Sequence, residues 1–182
     1  MGVRILLWVC LMGVHTLSLA ESSLSGTLIE RWIASQEALA TWGDQHEAAL
    51  DAAGTDDDEF SNPFTVDPAT LVAPLKKSGL YGEAKDLMSD FGFSSPESWA
   101  EATLDITRAA AALEFDKQPN MFDMSRLKQM LAQAELPPDH KRLLEKALAH
   151  NAAMIESLKA VSTDDKNQIR PFLDQIGSLL EE

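Results

Sequence analysis

The fold is read from Ser94-Ser-Pro-Glu-Ser-Trp-Ala-Glu-Ala-Thr-Leu-Asp-Ile-Thr-Arg-Ala-Ala-Ala-Ala-Leu-Glu-Phe115. Ser94 and Glu97 have the spacing of a capping box, and Pro96 between them has its φ preset for a first helical turn. Trp99, Ala102, Ile106, Ala110 and Leu113 recur at helical spacing as an inner stripe, with Glu97, Glu101, Asp105 and Arg108 as the outer one. The run Ala109-Ala-Ala-Ala112 adds helix propensity and lets neighbouring helices come close. The stretch therefore predicts a helix ending near Phe115.

Helical signals continue on both sides. Upstream, Leu28, Ile29, Trp32, Leu39 and Leu50 share one face over residues 23–53, and Gly54 is the expected stop. Asp67-Pro68 reads as N-cap and first helical residue, and Pro74 should kink or shorten the helix that starts there. Residues 80–91 predict a short helix ended by Gly92. Downstream, Gln118-Pro119-Asn120 is a turn, and Asp123 should cap a helix carrying Leu127, Met130, Leu131 and Ala134. Pro137-Pro138 breaks that helix. A helix over 139–161 turns Leu144, Ala147, Leu148, Ile155 and Leu158 inward. Ser162 and Asp165 again have capping-box spacing, before a final helix bent at Pro171 with Ile169, Phe172, Leu173, Ile176, Leu179 and Leu180 on its apolar stripe. Strand-like alternation of β-branched residues is absent. The expected fold is all-α, a single-domain bundle of about six or seven helices. The apolar stripes are too wide for strict coiled-coil heptads.

Residues 1–20 read as a secretory signal peptide. Arg4 supplies the positive start. The apolar run from Ile5 to Val14 is too short to span a bilayer as a helix. Ser18-Leu19-Ala20 places small residues at a cleavage site before Glu21. The exported domain is then 21–182, with an acidic flexible linker at 55–66 built around Asp56-Asp-Asp-Glu59. The one cysteine, Cys10, lies in the signal, so the mature chain is cysteine-free and has no disulfide or thiolate chemistry. Export without disulfides is more usual in the bacterial periplasm than among small animal secreted domains. The expected location is periplasmic or secreted.

The formal net charge is −14, and losing Arg4 makes it one unit more negative. Such a chain is repelled by phosphate backbones and anionic headgroups, which argues against nucleic acid and, after cleavage, against a membrane. Glycine-rich phosphate loops, the G-x-S-x-G elbow and H-E-x-x-H are all missing. His46-Glu47 begins like a zinc motif, but Leu50 stands where the second histidine belongs. The 56–59 carboxylates lack the alternate ligand positions and central glycine of a calcium loop. Met121, Met124 and Met130 resemble a Cu(I) thioether set, yet Met124 and Met130 fall on opposite helix faces. No cofactor or metal is expected, and no catalytic residue is assigned.

What stands out is polar residues on apolar stripes. Gln36 and His46 share the face of Leu28, Trp32 and Leu39. Asn151 sits amid Leu144, Leu148 and Ile155, with His140 on the same face nearer the helix start. A buried amide costs a few kcal/mol unless hydrogen-bonded, so each needs a partner or a wet pocket. They either fix helix register or line a ligand cavity between helices. Trp32 and Trp99 read as core anchors, whereas Trp42 lies on the flank of its stripe and is the candidate interface residue. The sequence thus leads to a non-enzymatic exported binding or protein-interaction protein with an unidentified protein partner. The alternative is a bundle holding a small apolar or amphipathic ligand in a cavity lined by Gln36, His46, His140 and Asn151.

Overall fold

A computed structural model describes residues 24–54, 66–118, 124–133 and 137–180. The expected signal segment, Met121, Asp123 and nearly all of the acidic linker lie outside the described residues. Within them the chain is all-helical, with no strand.

Helix α1 (Gly26–Ala53) starts at Ser25, whose side chain accepts from Leu28 N–H, and stops at Gly54 with φ 65°. Helices α2 (Pro68–Leu71) and α3 (Ala73–Lys77) form one run interrupted at Val72, because the Pro74 nitrogen has no hydrogen to continue the ladder. As read from the sequence, Asp67 caps α2, accepting from Ala69 N–H at 2.8 Å. Helix α4 (Tyr81–Asp90) comes next, then α5 (Pro96–Lys117), α6 (Met124–Gln133) and α7 (Pro138–Lys159). The last run is α8 (Thr163–Ile169), a 3₁₀ turn at Arg170–Phe172, and α9 (Leu173–Leu180). Pro171 thus converts the expected bend into a tighter turn. Taking the runs broken at Pro74 and Pro171 as single helices gives seven among the described residues.

The cap of α5 is one residue later than the sequence spacing implied. Ser95, not Ser94, is the N-cap, and its partner is Ser98 rather than Glu97. Ser95 Oγ accepts from Ser98 N–H at 3.1 Å, and Ser98 Oγ accepts from Ser95 N–H at 3.1 Å. This frame puts Pro96 at the first helical position. The Glu97 carboxylate is drawn away by Lys76 and Tyr81.

Helix α5 is the centre of the bundle, packing on α1, α2 and α4 and also on α7 and α8. Its burial is broader than a single stripe. Ala102, Ile106, Ala109 and Leu113 join the main core with Ile29 and Trp32 of α1, Met88 of α4, Ile169 of α8 and Ile176 of α9. Ala112 and Phe115 face a second, smaller cluster containing Leu158 of α7. Ile29, Ile106, Ile169 and Ile176 are essentially fully buried, each contributing about 1.5–3 kcal/mol of burial. The small Ala109–Ala112 side chains let helices approach α5 from two sides.

Helix α7 is less buried than its pattern suggests. Leu144, Leu148 and Ile155 are half-buried, and only Leu158 among its described side chains is buried. The reason is its position at the edge of the bundle. It meets the α5 core through Met154, Ile155 and Leu158.

Candidate functional site

The end of α4 builds one wall of a surface groove. Gly92 has φ 81°, a conformation that side-chain-bearing residues rarely adopt. Its N–H bonds Ser89 C=O at 2.9 Å, and Phe93 N–H bonds back to Met88 C=O at 3.1 Å. These two bonds form a Schellman closure, completed by the apolar pairing of Phe93 with Met88 in the core. The closure fixes two groups toward α1. The Gly92 carbonyl accepts from Arg31 Nη1 at 2.9 Å, and the Phe93 ring lies 5.4 Å from the guanidinium carbon. A cation over an aromatic face adds an electrostatic attraction to the hydrogen bond.

Arg31 thereby becomes one wall of an open groove of about 420 Å³ between α1, the α4–α5 turn and the first turns of α5. Leu28, Phe93 and Ala102 give it apolar surface, and Ser94, Ser98, Glu101 and Asp105 line its α5 side. Arg31 makes no ion pair with any described residue, and its Nε is enclosed without a hydrogen-bond partner. Asp105 is paired with Arg108 at 3.2 Å. Exposed Glu101 has no such partner among the described residues. A second open cleft, of about 390 Å³, is lined by Leu113, Asp116, Lys117, Arg170 and Leu173. Two of its charges are paired, Asp116 with Lys166 at 2.9 Å and Lys117 with Glu114 at 2.6 Å, whereas Arg170 has no ion pair among the described residues.

The residues singled out from the sequence lie elsewhere. Gln36 Nε2 donates to Trp32 C=O at 2.9 Å, within its own helix. His46 and Trp42 sit together further along α1, with ring centroids 4.6 Å apart. His46 Nδ1 is 2.9 Å from Trp42 C=O and Nε2 is 3.3 Å from Glu83 Oε1. A carbonyl only accepts, so Nδ1 carries the hydrogen there. Trp42 is half-buried, and its Nε1 donates to the same Glu83 oxygen at 2.7 Å. On α7, His140 is exposed in the first turn and Asn151 is half-buried. Helix α1 packs on α3, α5 and α8, whereas α7 packs on α5 and α6. None of Gln36, His46, His140 and Asn151 lines either cleft.

Two polar arrangements were not visible in the sequence. Trp32 Nε1 donates to Thr103 Oγ1 at 2.8 Å, and Trp99 Nε1 donates to Ser35 Oγ at 2.9 Å. Helical spacing marks Ser35 and Thr103 as neighbours of the apolar stripe, but it cannot say which indole reaches which hydroxyl. Glu97 joins two other segments, with Lys76 Nζ at 2.8 Å and Tyr81 Oη at 2.6 Å. The bonds from Lys76 and then Tyr81 hold the Glu97 carboxyl down at about 2. The same bonds push the Lys76 ammonium and the Tyr81 phenol upward.

Among the described residues no group of three or more His, Cys, Asp or Glu side chains is arranged to hold a metal ion. No described helix is long and apolar enough to cross a membrane. The chain matches no protein-family model, no curated protein and no solved structure.

Proposed function

We propose that this chain is an exported, non-enzymatic helical binding protein, acting in the periplasm or outside the cell, and that the Arg31 groove is its binding site. The observation that carries the reading is Arg31 itself. It is a guanidinium held in place by a backbone carbonyl and an aromatic ring, in a groove of about 420 Å³, with no ion pair among the described residues. That volume falls in the range of ligand sites, roughly 300–1,000 Å³. The non-enzymatic reading is supported by His46, whose contact with Glu83 lines neither of the two clefts described above. The strong negative charge disfavours nucleic acid and anionic membranes as partners.

The test has two parts. N-terminal sequencing of the exported protein should begin at Glu21, and recovery of a cytoplasmic species that keeps Met1 overturns export. A panel of acids, amines, peptides and lipids is then screened by backbone amide NMR. Perturbation centred on Gly92, Phe93 and Ser98 supports the groove. Perturbation centred on Gln36 and His46, or on His140 and Asn151, supports the alternative of a small apolar or amphipathic ligand between helices. Chemical conversion of any bound compound overturns the non-enzymatic reading.

A further inference from the structure

We infer that the ligand of this groove is a short zwitterionic peptide, its free carboxylate on Arg31 and its cationic group on Glu101. The inference rests on the reading of the groove as a binding site. It starts from two opposite charges that line one groove and do not neutralise each other. Arg31 on α1 and Glu101 on α5 both border it, and neither has an ion-pair partner among the described residues.

Arg31 has anchors of its own: Nη1 donates to Gly92 C=O at 2.9 Å, and the guanidinium carbon lies 5.4 Å from the centre of the Phe93 ring. A guanidinium offers five N–H donors; the Gly92 carbonyl takes one and the Nε–H is enclosed, which leaves the remaining Nη hydrogens for a ligand. Its planar edge suits a carboxylate held by two parallel hydrogen bonds. The neighbouring serines offer less. Ser98 Oγ donates to Ser95 C=O at 2.8 Å and accepts from Ser95 N–H, so it is committed to capping α5.

Charge decides among ligand classes. A simple anion on Arg31 would face Glu101 and Asp105 across the groove, in a chain of net charge −14. A simple cation on Glu101 would face Arg31. A ligand with both charges meets each wall with its complement. A peptide also supplies an apolar middle for Leu28, Phe93 and Ala102, and the open shape of the groove admits a chain rather than enclosing a small molecule.

The experiment titrates three dipeptides into the purified protein and follows backbone amides: Lys-Ala, Lys-Ala with an amidated C-terminus, and acetyl-norleucyl-Ala. The expected result is saturable movement of Gly92, Phe93, Ser98 and Ala102 with Lys-Ala, and binding at least tenfold weaker for each of the other two. Arg31→Gln should abolish the preference for the free carboxylate, and Glu101→Gln the preference for the cation. Arg31→Lys, which keeps the charge but loses the fork, should weaken Lys-Ala severalfold and serves if Arg31→Gln does not fold. Equal binding of all three peptides overturns the inference. So does groove binding by other compounds of the panel without Lys-Ala, a result that leaves the binding-protein reading standing. If no compound of any kind moves the groove amides, both fall.

Discussion

Trp99 on α5 donates its indole N–H to Ser35 Oγ on α1, at 2.9 Å. The relationship is reciprocal, because Trp32 on α1 donates to Thr103 Oγ1 on α5 at 2.8 Å. Each hydroxyl in turn donates to the backbone carbonyl of the tryptophan on its own helix, Ser35 to Trp32 at 2.7 Å and Thr103 to Trp99 at 2.9 Å. Both indoles and both hydroxyls are thereby satisfied inside the α1–α5 interface. Slippage of either helix along the other would break both indole bonds, so the exchange fixes register as well as packing.

Ser35 is fully buried, so removing its hydroxyl strands the Trp99 donor. Ser35→Ala should cost about 1–3 kcal/mol in chemical denaturation, the usual penalty for an orphaned buried polar group. In a double-mutant cycle with Trp99→Phe, the coupling should be on the order of 1 kcal/mol. A coupling of zero would mean that the indole exchanges its bond for water without loss.

The Lys76–Glu97–Tyr81 arrangement makes stability depend on pH with a definite sign. Glu97 titrates at about 2 in the folded chain instead of 4.5. A carboxyl depressed by folding stabilises above its unfolded value and loses that contribution as pH falls toward the folded one. Wild type should therefore exceed Glu97→Gln in denaturation midpoint at pH 6. The gap should narrow below about pH 4.5 and close near pH 2. Lys76 and Tyr81 are shifted upward, so their share persists through neutral pH and is lost only in strong alkali, as pH rises past their raised values. A gap that stays constant from pH 6 to pH 2 would show that the carboxylate is unpaired in solution.

Helix positions were legible in the sequence because caps, prolines and apolar spacing are local signals. Gly54, Asp67-Pro68, Pro74 and Gly92 all act where their chemistry says they should. The box at the start of α5 sits one residue away from its expected frame because serine occupies positions 94, 95 and 98. Spacing alone cannot choose among them, and Glu97 has a tertiary partner that no local rule reveals. His140 lies on the inward face of α7 by helical geometry but is exposed, whereas α7 meets the α5 core further along, at Met154, Ile155 and Leu158. The Arg31 groove was not legible. It depends on a carbonyl and a ring 61 and 62 residues away in sequence, and an isolated arginine on an amphipathic helix carries no signal of that meeting.

Asp165 ties the first turn of α8 to the residues just before α1. Its Oδ1 accepts from Leu24 N–H at 3.0 Å, and its Oδ2 accepts from Ser162 Oγ at 2.7 Å. Leu24 is buried, so its N–H has little access to water as a substitute. Asp165→Ala should destabilise the fold by about 1–3 kcal/mol. It should also speed amide exchange in the first turns of α1 and in α8 more than in α4. Unchanged exchange at the start of α1 would sink the idea that this carboxylate holds the helix in place.

Two glycines separate backbone strain from side-chain contact. Gly79 and Gly92 have nearly the same left-handed φ, 79° and 81°. A Cβ at Gly79 would meet nothing within 4 Å, whereas at Gly92 it would come within 2.8 Å of Arg31 Nη1. Gly79→Ala should therefore show the backbone penalty alone, about 1–2 kcal/mol. Gly92→Ala carries the same penalty and must also displace the guanidinium from the Gly92 carbonyl, which loses a hydrogen bond worth about 0.5–1.5 kcal/mol. The excess of Gly92→Ala over Gly79→Ala in chemical denaturation measures how firmly Arg31 is held. Removing the guanidinium first, in Arg31→Gln, should shrink that excess, because the shorter side chain can move aside. If the two glycine variants lose the same stability in the wild-type background, the tether from Arg31 to the α4–α5 turn contributes nothing, and the groove has no fixed cationic wall.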